Sequence, residues 1–421
     1  MTNTIFLRPI TAIYFGKPGS FCAGETHTGT SWFPPPISAF QGMIRTKILQ
    51  HIGVFSPKNK VEELVGTKES LPKDWSLKGP FPTSYSNNKE LTLWFPIPSF
   101  LFLPLESDSC CPVRAKLLLD KQYPYLLDID SDIDKKYSGL LPAGAPNIAC
   151  TKPLSGWISS HNLLWALKGD NADISWDIHG CSLSLPPFVS WETKPGLARK
   201  KEKDDRHNIK KITGRAQEGM LYFLNYLRFS DNSGIIGWLS VPDGSTDPNA
   251  LKQGPIVAGK KGGVMAFDDF KGYQIDKNWE KIENGEFLDV SSETKATKPV
   301  SVLVWIILLT PGRWESTSEL TQMLRSCTKD VDVAVKSIIS LEPISLGGFS
   351  MADKRPMPAT SWYPAGTSIL VKLEGENAQQ ILSCLRELNN KTILASDKDK
   401  AFGYGHILVS CPIEDNGGDN D

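Results

Sequence analysis

An α+β fold made of two βαββαβ units with long loop insertions is what this sequence predicts, and three observations predict it. The C-terminal part reads strand, helix, strand, strand, helix, strand in unbroken order. The N-terminal part opens on a strand followed by a proline-started helix. Between them, many of the 34 glycines and 30 prolines break the chain into loops.

The first strand places Phe6, Ile10, Ala12 and Tyr14 on one parity and Ile5, Leu7, Ile13 and Phe15 on the other. Apolar residues on both faces predict a central strand. The loop from Gly16 to Phe33 follows, and its glycines argue against regular structure while Lys17, Thr26, His27, Thr28 and Thr30 supply hydrogen-bond donors. Pro34, Pro35 and Pro36 suit the first turn of a helix. Ile37, Phe40, Met43, Ile44 and Ile48 then recur at helical spacing, leaving Arg45 and Lys47 for the opposite face.

Proline-rich insertions follow, PFPTSYSNN and LWFPIPSFLFLPLES among them. EGMLYFLNYLRF and GIIGWLSV, joined by SDNS, read as a hairpin, and PIVAGKKGGVMAFDDF as a glycine-interrupted strand. Strand, helix, hairpin and final strand make a first unit over residues 1–290. The polar stretch from Gly285 to Pro299 reads as a linker. The second unit, residues 298–421, holds a strand from Val300 to Leu309. Ser316 and Glu319 form a capping box ahead of Leu320, Met323, Leu324 and Cys327. Val331, Val333, Val335 and Ile338 form a second strand, Ile369 to Leu373 a third and Ile407 to Val409 a fourth. A helix carrying Ala378, Ile381, Leu382, Leu385 and Leu388 lies between the last two. This is the element order of a ferredoxin-like, RRM-like unit.

Composition limits function. Forty-six Lys and Arg against 47 Asp and Glu give a formal net charge of -1, so attraction to nucleic acid or membrane must come from local clusters. The longest apolar run, Val300 to Leu309, is far shorter than the roughly 20 residues of a membrane helix. The N-terminal residues carry no secretory signal pattern, and eight cysteines without a CxxC pair fit reduced thiols, so the cytosol is the expected location and no cofactor or metal is expected.

The most charged segment runs from Gly196 to Arg215. Arg199, Lys200, Lys201, Lys203, Arg206, Lys210, Lys211 and Arg215 outnumber its three acids by five. Such a segment neutralises phosphates with counterion release, or else is a solvated loop. Gly259, Lys260, Lys261, Gly262 and Gly263 place two ammonium groups where backbone approaches a ligand closely, or form an exposed turn. Tyr404 and His406 lie in the GYGH sequence before the last strand, where Tyr404 offers a stacking surface but the flanking residues do not match the RNA-recognition consensus. Trp32 and Trp362 sit in proline or glycine loops, where stacking is conceivable. Asp128, Asp130, Asp132 and Asp134 lack the glycine and distal Glu of a calcium loop and read as a solvated acidic loop. Cys22 and His27 have no third group to complete a nucleophilic site and read as packing and hydrogen-bonding residues.

Taken in order, FLRPITAIYF, AGETHTGTSWFPPP, EGMLYFLNYLRF, VAGKKGG, KRPMPATSWYPAGTSILV and AFGYGH resemble the third-subunit family of the type III-B CRISPR Cmr effector complex, a RAMP family, and the likeness runs almost end to end. The resemblance implies a noncatalytic, cytoplasmic RNA-binding subunit that holds the repeat-derived 5′ handle of the crRNA. It also implies contacts with the large polymerase-like subunit and with backbone RAMP subunits. Carried onto this sequence, Lys17, His27, Thr28, Thr30, Arg45, Lys47, Lys260 and Lys261 are expected handle contacts, and the basic segment from Arg199 to Arg215 takes the place of a protruding hairpin. The alternative within the superfamily is a metal-independent repeat-RNA endoribonuclease, with His27 and His406 as its acid and base candidates.

Overall fold

The computed structural model of the chain describes residues 2–17, 28–67, 69–104, 113–119, 137–142, 151–168, 185–203, 209–244, 247–260, 262–289, 300–328, 330–350 and 355–412. It is a mixed α+β structure with two main cores, one of which joins the N-terminal and C-terminal sheets.

The first unit contains β1 (Thr2–Pro9), β2 (Thr28–Thr30), α1 (Ile37–Ile52), α2 (Lys58–Val65), β3 (Ser76–Tyr85) and β4 (Glu90–Pro96). An insertion follows: β5 (Leu101–Pro104), β6 (Val113–Leu119), β7 (Tyr137–Pro142) and β8 (Thr151–Pro153) form their own sheet in the order β7-β6-β5-β8. The chain returns through β9 (Trp157–Ser159) and α3 (Ser160–Lys168), then extends into a long hairpin of β10 (Val189–Lys203) and β11 (Ile209–Phe229). It closes with β12 (Ser233–Ser240), β13 (Gly254–Ala258), β14 (Gly263–Asp268), β15 (Gln274–Ile275) and α4 (Lys277–Glu283). The main sheet runs β13-β14-β1-β12-β3-β4-β15, with β9 pairing beside β4.

The two apolar parities of the first strand are explained by this sheet. β1 lies between β12 and β14, and Ile5, Phe6 and Leu7 are fully buried. Ile5 and Leu7 join Phe40, Ile44 and Ile48 of α1 in one core, while Phe6 joins a second core containing Trp305 and Val371 of the C-terminal unit. Helix α1 begins at Ile37, with Pro36 as its N-cap, so the three prolines precede the first turn rather than forming it; it stops at Gly53, whose φ is 75° and whose N–H donates to the Leu49 carbonyl.

The second unit contains β16 (Val300–Leu308), α5 (Thr317–Arg325), β17 (Asp332–Ile339), β18 (Ile344–Ser350), β19 (Arg355–Trp362), β20 (Ser368–Gly375), α6 (Ala378–Leu388), α7 (Asp397–Phe402) and β21 (Ile407–Val409). Its sheet order is β17-β20-β16-β21. The Ser316 hydroxyl caps the helix as the spacing requires, accepting from the Glu319 N–H at 3.2 Å, while the Glu319 carboxylate returns one residue further, to the Glu315 N–H at 2.6 Å, rather than to Ser316. Within the first unit the path β14-β1-β12-β3 repeats the permutation β21-β16-β20-β17 of the second. A short 3-10 helix, Pro248–Leu251, stands where the second unit has α6.

Several expectations are corrected. β1 ends at Pro9, because the N–H groups of Ile10 and Thr11 both turn to the Val264 carbonyl, and Ile13 then bridges to Leu227. Strands β11 and β12 do not pair. β11 pairs with β10 and, in parallel, with β2, whereas β12 joins the main sheet. The short SDNS link therefore carries the chain from one sheet to another. The polar stretch after Gly285 is anchored at its start, since Phe287 and Leu288 are buried in the shared core. The hairpin β18–β19 and helix α7 have no counterpart in the sequence reading.

Candidate nucleic-acid interface

Three segments meet beside the main sheet. The first loop reaches the GKKGG turn through a bridge in which the Lys260 N–H donates to the Tyr14 carbonyl at 2.7 Å. Gly259 holds φ at 67° there, and a Cβ on it would stand 2.4 Å from the Tyr14 carbonyl oxygen, so glycine permits this close approach. The Lys260 ammonium lies against Gly16, the residue before Lys17. Strand β2 returns from the loop with Phe223 opposite Thr28 and Asn225 opposite Thr30. Ser31 fixes the junction, its hydroxyl accepting from the Phe15 N–H at 2.8 Å.

The base of the β10–β11 hairpin adjoins this point. One of its faces packs inward, where Leu224 and Tyr226 meet Ala12 and Tyr14, and Lys194 lies 4.8 Å from the Tyr226 ring centroid. The other face is apolar and open: Trp191 is 38% exposed, Leu197 57%, Leu221 46% and Phe223 39%. Beyond it, the backbone register pairs Lys201 with Ile212 and Glu202 with Lys211, so the two basic runs lie on adjacent strands.

Where the segment after β2, β3 and β9 of the first unit face the second unit lies a cleft of roughly 380 Å³, to which the hairpin contributes Trp191. Trp32, Phe33 and Trp157 form one wall, Trp191 stands at the hairpin side, and Leu346 and Tyr404 belong to the second unit. Lys17 sits at this cleft, its ammonium 6.0 Å from the Trp32 ring centroid.

The expected site residues divide accordingly. Lys17, Thr28, Thr30 and Lys260 come together, and the first, second and last of them are exposed. Arg199, Lys200, Lys201, Lys210, Lys211 and Arg215 lie on the hairpin strands. His27, Arg206 and Lys261 lie outside the described residues, as do Cys22 and the aspartates from Asp128 to Asp134. Arg45 and Lys47 are not on an open helix face. The Arg45 guanidinium donates to the carbonyls of Thr67 at 2.5 Å and Ser70 at 3.2 Å and lies 5.5 Å from the Phe402 ring centroid. Burial pulls its pKa down to about 10, so it serves as an internal clamp. The Lys47 ammonium packs 5.7 Å from the Phe267 ring centroid, and its burial likewise lowers its pKa.

The GYGH sequence is corrected most. Gly403, with φ at 97°, ends α7, and a Cβ there would come within 2.8 Å of the Leu77 carbonyl oxygen, so this glycine lets the two units touch. Tyr404 packs at 4.6 Å from Trp362, which is itself buried, and burial raises its hydroxyl pKa. His406 is 0% exposed: its Nε2 pairs with Asn390 Oδ1 at 2.6 Å, its backbone N–H donates to Thr310, and its Nδ1 has no hydrogen-bond partner. Burial, with Lys78 adding to it, holds its pKa well below the usual 6.5. Below about pH 6.5 the unfolded chain therefore takes up a proton that the folded chain refuses. Stability is fully present above that pH and falls as pH drops, by at most about 1.4 kcal/mol per pH unit. Thermal melts between pH 7.5 and 5 are expected to show this loss, and His406→Gln to reduce it; an unchanged slope in the variant contradicts the assignment.

Trp191, Leu197, Leu221 and Phe223 were not singled out from sequence. The alternation of Trp191, Thr193, Pro195 and Leu197 with Glu192, Lys194 and Gly196 is the signal that carries them.

Comparison with known proteins identifies the family. The pattern of the CRISPR-associated protein family Cas_Cmr3 matches residues 5–411. No curated protein matches the chain in sequence. A chain from the cryo-EM structure of type III-B Cmr-β bound to cognate target RNA and AMPPnP is similar at 12% identity and a TM-score of 0.45, covering 96% of this chain and 95% of that one. Another, from type III-B Cmr-β bound to cognate target RNA, is similar at 13% identity and a TM-score of 0.41, covering 87% and 86%. With the family pattern spanning nearly its whole length, this chain belongs to the Cas_Cmr3 family of CRISPR-associated proteins, subunits of type III-B Cmr effector complexes.

Proposed function

We propose that the chain is a noncatalytic RNA-binding subunit that holds the repeat-derived 5′ handle of the crRNA and docks the large polymerase-like subunit and neighbouring backbone RAMP subunits. The observation that carries this reading is the convergence of Lys17, Thr28, Thr30, Lys260 and the base of the basic hairpin beside one aromatic cleft. Cations for phosphates, short polar side chains for base edges and rings for stacking are what recognition of single-stranded RNA needs. The common strand permutation of the two units supports a pair of ferredoxin-like domains, the first with a shortened second helix. Leu197, Leu221 and Phe223 supply an open apolar face for a protein neighbour. A neutral, buried His406 is unsuited to acid or base catalysis at a surface site.

The purified chain is expected to retain an oligoribonucleotide of the handle sequence in a salt-sensitive manner and to leave unprocessed repeat RNA uncut. Site-specific cleavage abolished by His27→Ala overturns the noncatalytic reading. Equal binding of handle RNA and an unrelated duplex overturns the assignment of the handle.

A further inference from the structure

The cleft between the first unit and the second has a composition that general phosphate binding does not require. Its described lining contains no acidic residue and one charged side chain, Lys17, while tryptophan, phenylalanine and proline dominate the rest. Its roughly 380 Å³ lies at the small end of the ~300–1,000 Å³ of ligand pockets, which is room for one nucleotide rather than a strand. The placement of Trp191 adds a second point. Its β-partner Leu227 is fully buried, whereas Trp191 keeps over a third of its surface in water at the edge of the cleft. A large ring left partly wet in a cleft that also holds Lys17 suits an anionic ligand with an aromatic face.

We propose that this cleft receives one unstacked base of the bound single-stranded RNA, the base stacking on Trp191 beside Trp32 and its phosphate lying at Lys17. The proposal rests on the RNA-binding reading above and goes beyond it by assigning one base to one pocket. A proline-rich or apolar segment of a neighbouring subunit also suits rings and prolines, but it gives Lys17 and the acid-free lining no role. The rings here stack whichever base is presented, so the pocket selects an extruded base by shape rather than by its Watson–Crick edge.

The test uses the full chain and a labelled oligoribonucleotide of the handle sequence, with copies in which one base at a time is replaced by an abasic site. One abasic position is expected to weaken wild-type binding by roughly 5- to 150-fold, the range for loss of one base stack. Trp191→Ala is expected to lose a similar factor on intact RNA and nothing further on that abasic copy. Trp191→Phe should keep most of the affinity, and Lys17→Ala should lower the slope of log affinity against log salt by about 0.7. Additive losses in Trp191→Ala, or a wild-type chain indifferent to every abasic site, overturn the pocket while leaving RNA binding intact. Failure of the wild-type chain to bind the intact RNA overturns both readings. Loss of a neighbouring subunit from the assembled complex in Trp191→Ala, with the abasic pattern unchanged, assigns the cleft to a protein segment and overturns it as well.

Discussion

Changing Lys200, Lys201, Lys210 and Lys211 together to Ala is expected to weaken crRNA binding by about 100-fold near 0.15 M salt. All four lie on the adjacent strands of the basic hairpin. Each phosphate contact to a single strand contributes about 0.7 to the salt slope through counterion release, so four contacts contribute roughly 3. Extrapolated from 1 M salt, where this term vanishes, that slope amounts to a little over two decades at 0.15 M. Titrations at several salt concentrations separate the effect from misfolding: the variant's slope should be shallower by about 3, with its melting temperature unchanged. A parallel shift of the curve, or none, removes the hairpin from the RNA contact.

The second large effect is in the core. Trp305 lies mid-strand in β16, fully buried, with its ring stacked on Phe100 of the first unit at 5.2 Å and 19° and its backbone N–H donating to the Ser410 hydroxyl. Trp305→Ala removes that ring from the core both units share, and is expected to cost about 3–5 kcal/mol, a large fraction of the ~5–15 kcal/mol that holds a typical domain folded. Because Phe6, Phe81 and Phe95 of the first unit lie in the same core as Val304, Leu370 and Leu385 of the second, the variant should lower one common urea midpoint. Two transitions, with only one displaced, would show that the units fold on separate cores.

The sequence carried those elements whose periodicity is enforced by burial. α1, α5 and α6 appear because their apolar residues repeat at helical spacing and their ends carry a proline, a capping box or an asparagine cap. β16 appears because both its faces are covered. The pairing of β11 was illegible because the apolar run from Met220 to Phe229 reads equally well against any neighbour, and the short SDNS link favours the nearest one in sequence. Lys17, Thr28, Thr30 and Lys260 stand out in the sequence by their glycine-rich surroundings, and the fold brings their segments together. Arg45 was misread because a helical wheel puts it opposite the apolar stripe, while the carbonyls of Thr67 and Ser70 come near enough to accept its hydrogen bonds. His406 was misread because Gly403 serves contact with Leu77 of the first unit and Gly405 close approach to the Leu394 backbone, neither facing a ligand. The alternation around Trp191 marks it as a face residue of its strand, whereas the cleft it lines is assembled from segments far apart in sequence, which no local pattern encodes.

Photocrosslinking of the crRNA handle in the assembled complex, with the linked peptides sequenced, tests the central claim most directly. Handle nucleotides are expected to link to this chain between Lys17 and Trp32 and along the β10–β11 hairpin. Handle crosslinks confined to other subunits, with this chain unlabelled, would contradict it.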